Sequence, residues 1–190
     1  MSARPPSEMP EPRALSPWIR RFAPLVPAGA AVLDLACGRG RHTRLFLARG
    51  HPVTAVDRDV SGLEDLAGQP GLEIVEADLE DGSPWPLPGR RFGAVVVVNY
   101  LWRPLFPRIL ESVAADGVLL YETFAAGNEA YGHPTNPDFL LAPGELIAAA
   151  QSQLQIVAYE HGYLAQPRPA IKQRICAVRA DRPLVLGLDR

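Results

Sequence analysis

One stretch of sequence decides the fold of this chain: Ala31-Val32-Leu33-Asp34-Leu35-Ala36-Cys37-Gly38-Arg39-Gly40-Arg41-His42-Thr43. Its apolar first part, residues 31–35, carries a single carboxylate and predicts a buried parallel strand. A Gly-x-Gly turn follows, and a helical pattern then runs from Arg41 to Arg49 and ends at Gly50. Strand, glycine turn and helix open a nucleotide-binding βαβ unit, because glycines permit a tight turn and the helix N-terminus presents unpaired N–H groups.

One carboxylate within this strand indicates which nucleotide the unit binds. Asp34 lies inside the apolar run, where an unpaired carboxylate is costly. It would repel a pyrophosphate, whereas a ligand with an ammonium group would satisfy it. The third glycine of the dinucleotide fingerprint is also absent, since Thr43 occupies its position. Both departures favour S-adenosylmethionine, which carries an ammonium group, a sulfonium and no phosphate.

The same residues carry a family resemblance. Val32-Leu33-Asp34-Leu35-Ala36-Cys37-Gly38-Arg39-Gly40 resembles the first motif of class I S-adenosylmethionine-dependent methyltransferases. The resemblance covers nearly all of residues 17–179 and implies an α/β fold: a doubly wound, seven-stranded, mostly parallel sheet of Rossmann-like type with an antiparallel last strand. It also implies S-adenosylmethionine as the cofactor, bound at the carboxyl ends of the first four strands, and direct displacement of the methyl group from sulfonium by an acceptor atom.

The second strand, residues 53–57, is β-branched and ends in an acid. Asp57 falls about 19 residues after Gly38, near the spacing at which a carboxylate reaches ribose hydroxyls in such units. Two hydroxyls favour a bidentate acceptor, so we expect Asp57 to bind ribose. The alternative is a solvated acid at a strand end.

The third strand and its exit loop, residues 72–79, complete the expected cofactor site. The resemblance implies that an acid here accepts from the adenine amino group while the next backbone N–H points at the ring, a pattern matched by Asp78 and Leu79. Glu80 and Asp81 crowd the same loop, so the choice of acid stays open. The expected cofactor-binding residues are Asp34, Ala36, Gly38, Gly40, Asp57, Asp78, Leu79 and Asn99.

The fourth strand, residues 92–99, is the most apolar and belongs at the sheet centre. Asn99 and Tyr100 leave its carboxyl end, where open α/β sheets bind ligands. Family members often have an aspartate where this chain has Gly93, a departure that we interpret as structural. The segment contains no Asn-Pro-Pro-Tyr sequence, the signature of many methylases that act on exocyclic amino groups.

The remaining elements follow from helical and strand periodicity. Helices are predicted from Pro17 to about Leu25, over 60–67, from Phe106 to a stop at Asp116-Gly117, and from Glu145 to about Ser152. Strands are predicted over 118–124, 154–160 and 171–179, and the resemblance implies that the last two form an antiparallel hairpin.

The loop that follows the fifth strand, residues 125–138, is long for a compact domain and dense in polar and aromatic side chains. Loops of this length are usually functional or disordered, so the segment Gly127 to Asp138 is the leading candidate for the acceptor side. Tyr131 and His133 from this loop, with Tyr100, are candidate catalytic residues. Ordinary turn or packing roles are the alternative, and no general base is identified.

Length and composition set outer limits on function. A chain of 190 residues suits one domain, predicted at 16–180, between a mobile N-terminal tail (1–15) and a C-terminal tail (181–190). The net charge of −2 provides no field for a polyanion, which disfavours nucleic acid as a partner. Cys37 and Cys176 have no metal-ligand spacing, so no metal is expected. No signal peptide or membrane-spanning run is present, and a cytoplasmic location without membrane contact is predicted.

A small-molecule methyl acceptor suits this chain best, because no appended recognition domain or basic stretch points to RNA, DNA or protein. The oligomeric state is not predicted. Two rival functions remain open: a non-catalytic subunit that binds S-adenosylmethionine, and an NAD-dependent oxidoreductase, against which Asp34 and Thr43 argue.

Overall fold

The computed structural model describes residues 14–180, and these residues build a sheet of seven strands. In chain order the strands are β1 (Val32–Leu35), β2 (Val53–Asp57), β3 (Leu72–Glu76), β4 (Phe92–Val98), β5 (Val113–Phe124), β6 (Gln155–Leu164) and β7 (Ala170–Val178). Their spatial order is β3-β2-β1-β4-β5-β7-β6, in which the first five are parallel and β7 is antiparallel to both its neighbours. The predicted α/β fold, with its closing antiparallel hairpin, is confirmed.

Four helices cover both faces of this sheet: α1 (Pro17–Phe22), α2 (Arg41–Ala48), α3 (Phe106–Glu111) and α4 (Glu145–Ala150). The first two pack Phe22 and Phe46 against one face, beside Val96 of β4. The last two pack Ile109 and Leu146 against the opposite face. Successive side chains of a strand point to opposite faces, so the apolar run of β4 supplies both cores.

The strand order reverses between β1 and β4, because β2 and β3 extend to one side of β1 while β4 and β5 extend to the other. In open α/β sheets such a switch point leaves a crevice at the carboxyl ends of the two central strands. The turn after β1 and the segment that begins at Asn99 both lie at this edge of the sheet.

Two predicted helices differ from the structure. The helix predicted over 60–67 is a 3₁₀ segment, Ser61–Leu66. The helix predicted to end at Asp116-Gly117 ends at Glu111, and β5 begins at Val113, which pairs with Phe92 of β4 before the register shifts. At Gly117 a Cβ atom would lie 2.8 Å from the carbonyl oxygen of Ala114, so this glycine allows a close backbone approach within the strand rather than stopping a helix.

The predicted tails lie almost entirely outside the described residues, which exclude 1–13 and 181–190, and their boundaries stay predictions. Ala14 accepts a hydrogen bond from Arg41 Nη1 (3.0 Å), so the chain contacts the start of α2 immediately before α1. Between residues 14 and 180, no helix has both the length and the apolar character needed to cross a bilayer.

Candidate active site

The glycine turn after β1 is held in left-handed backbone conformations. Gly38 has φ +55° and Gly40 has φ +70°, values that L side chains rarely adopt. A Cβ atom at Gly40 would overlap the side chain of Leu63, whereas a Cβ atom at Gly38 would meet nothing within 4 Å. Packing and conformation therefore both require Gly40, while Gly38 borders open space.

A cavity of about 350 Å³ lies at the carboxyl edge of the sheet. Asp34, Gly38 and Gly40 are not among its lining residues, but the N–H of Gly38 donates to Asp57, which lines it. Five of the eight predicted cofactor residues line it: Ala36, Asp57, Asp78, Leu79 and Asn99. Its other lining residues are Arg58, Ala77, Glu80, Tyr100 and Phe139. The cavity brings the ends of β1, β2, β3 and β4 together, as the parallel sheet requires.

Two carboxylates of the cavity, those of Asp57 and Asp78, accept hydrogen bonds from backbone N–H groups. Asp57 Oδ2 accepts from Gly38 N (2.7 Å), and its Oδ1 accepts from Asp59 N (3.1 Å). Asp78 Oδ1 accepts from Glu80 N (2.9 Å). Each acid thus shapes its own turn and also borders the cavity. Since both Asp78 and Glu80 line it, the choice between these two acids stays open.

Asp34 is placed differently from the cavity carboxylates. It is 2% exposed, and its Oδ2 accepts a hydrogen bond from Thr43 Oγ1 at 2.7 Å. Burial raises its pKa to about 6, although hydrogen bonds from Thr43 and the charge of Arg41 act in the opposite direction. The residue that replaces the third glycine is therefore the partner of this buried acid. Whether Asp34 also meets a ligand ammonium group stays a prediction.

We expect Asp34→Asn to stabilise the protein at neutral pH. The folded state holds the Asp34 proton up to about pH 6 and the unfolded state only to about 3.8, so stability falls as pH rises between these values. The resulting penalty, on the order of 3 kcal/mol, is absent below this window and complete above it. Urea unfolding of both proteins across the window checks this, since the introduced amide keeps an oxygen acceptor for Thr43. Identical pH dependence of stability in the two proteins would contradict it.

The segment after β4 contributes two polar side chains to the cavity. Asn99 has φ +59°, and its N–H donates to the carbonyl oxygen of Glu122 (2.8 Å), which fixes its backbone beside β5. The backbone oxygen of Tyr100 accepts from Tyr121 Oη (2.9 Å). The Tyr100 hydroxyl is buried near the Glu80 carboxylate without a hydrogen bond of standard geometry to any described residue. Its pKa is raised by burial above all and then by Glu80.

The long loop after β5 reaches the cavity through Phe139, which the sequence analysis did not predict. Asn128 fastens the loop: its Nδ2 donates to the Gly132 and Pro134 carbonyl oxygens and its Oδ1 accepts from Ile171 N. Phe139, one position beyond the predicted segment, lines the cavity and is 39% exposed.

The two candidate catalytic residues of this loop do not line the cavity. Tyr131 is 49% exposed and packs against Tyr163, with ring centroids 5.0 Å apart, and His133 is also exposed. In the sequence, Phe139 could have been predicted as the aromatic residue of a Pro-Asp-Phe turn that follows a strand of the sheet.

A buried polar cluster beside Asn99 was also missed. Lys172 Nζ donates to Asn99 Oδ1 and to Glu122 Oε1, each at 2.7 Å. Ser16 Oγ donates to Glu122 Oε2 (2.9 Å), and Arg174 lies 3.8 Å from the same oxygen. The cluster therefore joins the start of α1, β5 and β7 at one end of the cavity. Its only sequence signal is that Lys172 is the single lysine of the chain.

Metal ligation finds no support in residues 14–180: no three His, Cys, Asp or Glu side chains there are grouped to hold an ion. Cys37, in the turn after β1, and Cys176, on β7, are buried free thiols. Burial raises the pKa of Cys176 to about 12. Burial also raises the pKa of Cys37. Both thiols are therefore protonated, and neither is a nucleophile at neutral pH.

Comparisons with known proteins agree with this geometry. Residues 32–115 match the model of a family described as "Methyltransferase domain". TehB from Haemophilus influenzae superposes with a TM-score of 0.66 at 18% identity, over 83% of this chain and 60% of that chain. This chain thus spans less than two thirds of that protein structure. No curated protein matches the sequence.

Two further solved structures share the fold over most of their length. The glycopeptide N-methyltransferase MtfA, complexed with S-adenosyl-L-homocysteine, gives a TM-score of 0.58 at 23% identity, over 84% of this chain and 87% of that one. Burkholderia thailandensis 1,6-didemethyltoxoflavin-N1-methyltransferase gives a TM-score of 0.62 at 21% identity, over 85% of this chain and 76% of that one. These two structures confirm the fold that the resemblance implies. Residues 32–115, which hold the glycine turn and most of the cavity, are similar to the methyltransferase-domain family.

Proposed function

We propose that this protein is an S-adenosylmethionine-dependent methyltransferase acting on a small-molecule acceptor. One observation carries the proposal: the cavity at the switch point joins the glycine turn, through Gly38 N and Asp57, to acids at the ends of β2 and β3 and to Asn99. A ligand with an adenosine part and no phosphate suits this set, because the carboxylates accept hydrogen bonds from hydroxyl and amino groups and would repel a pyrophosphate.

Each residue has a distinct task in this proposal. Asp57 would accept from ribose hydroxyls, while Asp78 or Glu80 would accept from the adenine amino group beside the backbone N–H of Leu79. Gly38 lets the backbone approach the ligand, because a side chain there would fill the space next to the cavity. Phe139 borders the remaining end, where the acceptor would enter.

Methyl transfer from a sulfonium requires little of the protein beyond the correct placement of donor and acceptor. When bound, S-adenosylmethionine supplies an electrophilic methyl group on a sulfonium. The chain holds donor and acceptor in line and excludes water, and orientation of this kind contributes roughly 7–11 kcal/mol. The proposal assigns the carboxylates of the cavity to the cofactor and gives none of them the role of general base.

The names of similar proteins support a small acceptor. Two structurally similar proteins are named for N-methylation of a glycopeptide and of a toxoflavin precursor, so the fold serves such acceptors elsewhere.

The test of catalysis is an acceptor screen that measures both S-adenosylhomocysteine release and labelled methyl transfer by the isolated chain. A methyltransferase transfers label to at least one small acceptor with saturable kinetics. Tight S-adenosylmethionine binding without transfer, in the presence of every acceptor tried, would favour the non-catalytic subunit instead.

Asp57→Ala is expected to weaken S-adenosylmethionine binding by at least about tenfold, since a hydrogen bond to a charged group is worth roughly 1.5–3 kcal/mol. Calorimetric titration measures the change. Asp59→Ala is the matched control, because Asp59 is a nearby carboxylate that holds Ser61 N and does not line the cavity. Equal affinities for the two variants would remove Asp57 from the ribose site.

Tyr100→Phe is expected to weaken cofactor binding by roughly fivefold without lowering stability, if a ligand completes this unpaired hydroxyl. Tyr159→Phe supplies the control, since the Tyr159 hydroxyl is also buried without a partner among the described residues but lies along β6, away from the cavity. Calorimetry should show a loss only for the first variant. A loss of affinity in neither variant, or in both, would leave Tyr100 without a cofactor role.

A further inference from the structure

The only lysine of the chain contacts Asn99, which lines the cavity next to Tyr100. Lys172 lies on β7 opposite Phe124 of β5, and its side chain is 12% exposed. Its ammonium group is shared between Asn99 Oδ1 and Glu122 Oε1, both at 2.7 Å. Every other basic side chain in the sequence is an arginine or a histidine.

This contact fixes the orientation of the Asn99 amide. An ammonium group only donates hydrogen bonds, so the atom that faces Lys172 is the amide oxygen and not the nitrogen. The Asn99 NH₂ group is then the end available to a ligand. Lys172 also takes up one of the two lone pairs of the Asn99 oxygen, the atom that could accept a hydrogen bond from an amino group.

The charged groups behind Asn99 differ from those that line the rest of the cavity. Arg41 and Arg174 lie close enough to Lys172 to help lower its pKa, with burial as the main cause, while the carboxylate of Glu122 acts in the opposite direction. The carboxylates of Asp57, Asp78 and Glu80 line the rest of the cavity. Three basic side chains therefore lie behind Asn99 around one buried carboxylate, that of Glu122, whereas Arg58 is the one basic residue among the lining residues of the cavity.

We propose, building on the proposed function, that the methyl acceptor is a deprotonated oxygen or sulfur atom that accepts a hydrogen bond from Asn99 Nδ2. Lys172 is a positioning residue, which holds the Asn99 amide in the donating orientation. A lone pair of the acceptor forms the new bond to the methyl carbon while the carbon–sulfur bond breaks, and its electron pair stays on sulfur. An anion and a sulfonium thus give two neutral products, and no proton leaves in this step.

An amine acceptor does not fit this arrangement. Its N–H would face the NH₂ of Asn99, and its methylated product would carry a proton that a base must remove. Lys172, paired with Glu122 as an ammonium, offers a positive charge there instead. The site therefore selects for carboxylates, phenolates or thiolates.

Asn99→Asp tests the orientation directly. Aspartate tolerates the left-handed backbone, keeps an oxygen for Lys172, and replaces the donating NH₂ with an acceptor oxygen. Radiolabelled methyl transfer is measured to thiophenol, phenol, benzoate, aniline and benzylamine. In the wild type we expect methyl transfer to one or more of thiophenol, phenol and benzoate, and none to the two amines. In Asn99→Asp we expect kcat/KM for the oxygen and sulfur acceptors to fall by at least about tenfold.

Lys172→Met and Lys172→Arg separate positioning from folding. The arginine variant keeps a donor for Asn99 and should retain transfer, whereas the methionine variant should lose kcat/KM by at least about tenfold with S-adenosylmethionine affinity within about twofold. A melting temperature recorded for each protein identifies loss of fold. Amine methylation by the wild type, no transfer to any oxygen or sulfur member, or full activity of the methionine variant would overturn the proposal.

A single lysine also permits a measurement that needs no acceptor. Protein labelled with ¹³C-lysine gives one ε-methylene signal, whose pH titration reports the protonation of Lys172. We expect the signal of an ammonium group at neutral pH, since the proposal requires one. The signal of a neutral amine at neutral pH overturns it, because a neutral amine could accept a hydrogen bond from the Asn99 NH₂ group. Failure of the wild type to bind S-adenosylmethionine would instead contradict the proposed function.

Discussion

Gly38→Val is expected to abolish detectable S-adenosylmethionine binding while the protein remains folded. A Cβ atom at this position meets no protein atom within 4 Å, so the first carbon of the new side chain has room. It occupies the space beside the cavity, and a β-branched residue at φ +55° adds backbone strain of roughly 1–2 kcal/mol. Calorimetric titration measures binding, and thermal unfolding shows that the variant retains its structure.

Gly38→Ala is the matched control for this experiment. It carries the same left-handed strain with less bulk, so we expect a melting temperature close to that of Gly38→Val and measurable residual affinity. A folded valine variant with normal affinity would place the cofactor elsewhere, and the assignment of the whole cavity would fail.

Glu122→Leu is expected to lower the free energy of unfolding by about 3–5 kcal/mol, the cost typical of leaving a buried charge unpaired. Glu122 is 4% exposed and accepts hydrogen bonds from Lys172 and Ser16, with Arg174 at 3.8 Å. Its removal leaves the Lys172 ammonium buried beside Asn99 alone. Urea unfolding at neutral pH measures the loss.

Two further variants separate the charge from the shape of Glu122. Glu122→Gln keeps acceptors for Ser16 and Lys172 and should lose less stability. Glu122→Leu combined with Lys172→Met removes both charges and should recover part of the loss, as replacements of buried ion pairs often do. If the double variant is no more stable than Glu122→Leu, the unpaired ammonium is not the cause.

The sequence predicted those features that depend on local pattern and sheet topology. The apolar runs of β1 and β4 predicted parallel strands, and parallel strands bring their carboxyl ends to one edge. Asp57, Asp78 and Asn99 follow three such strands, so their convergence on one cavity was predictable from position alone.

Contacts between distant side chains were not predictable in the same way. Asn99 and Lys172 are 73 residues apart, and only the antiparallel pairing of β7 with β5 brings them together. Similarly, the sequence showed that Asp34 needs a partner, but the choice of Thr43 depends on how α2 packs above β1. At the start of β5, pairing with β4 overrides a helical pattern that continues to Gly117.

The most direct test of the central claim is a calorimetric titration of the full chain with S-adenosylmethionine and, separately, with NAD. The cavity, with Asp57 on the glycine turn and carboxylates at its edge, predicts saturable binding of S-adenosylmethionine at one site per chain and no binding of NAD. Binding of NAD in preference to S-adenosylmethionine, or binding of neither, would contradict the account.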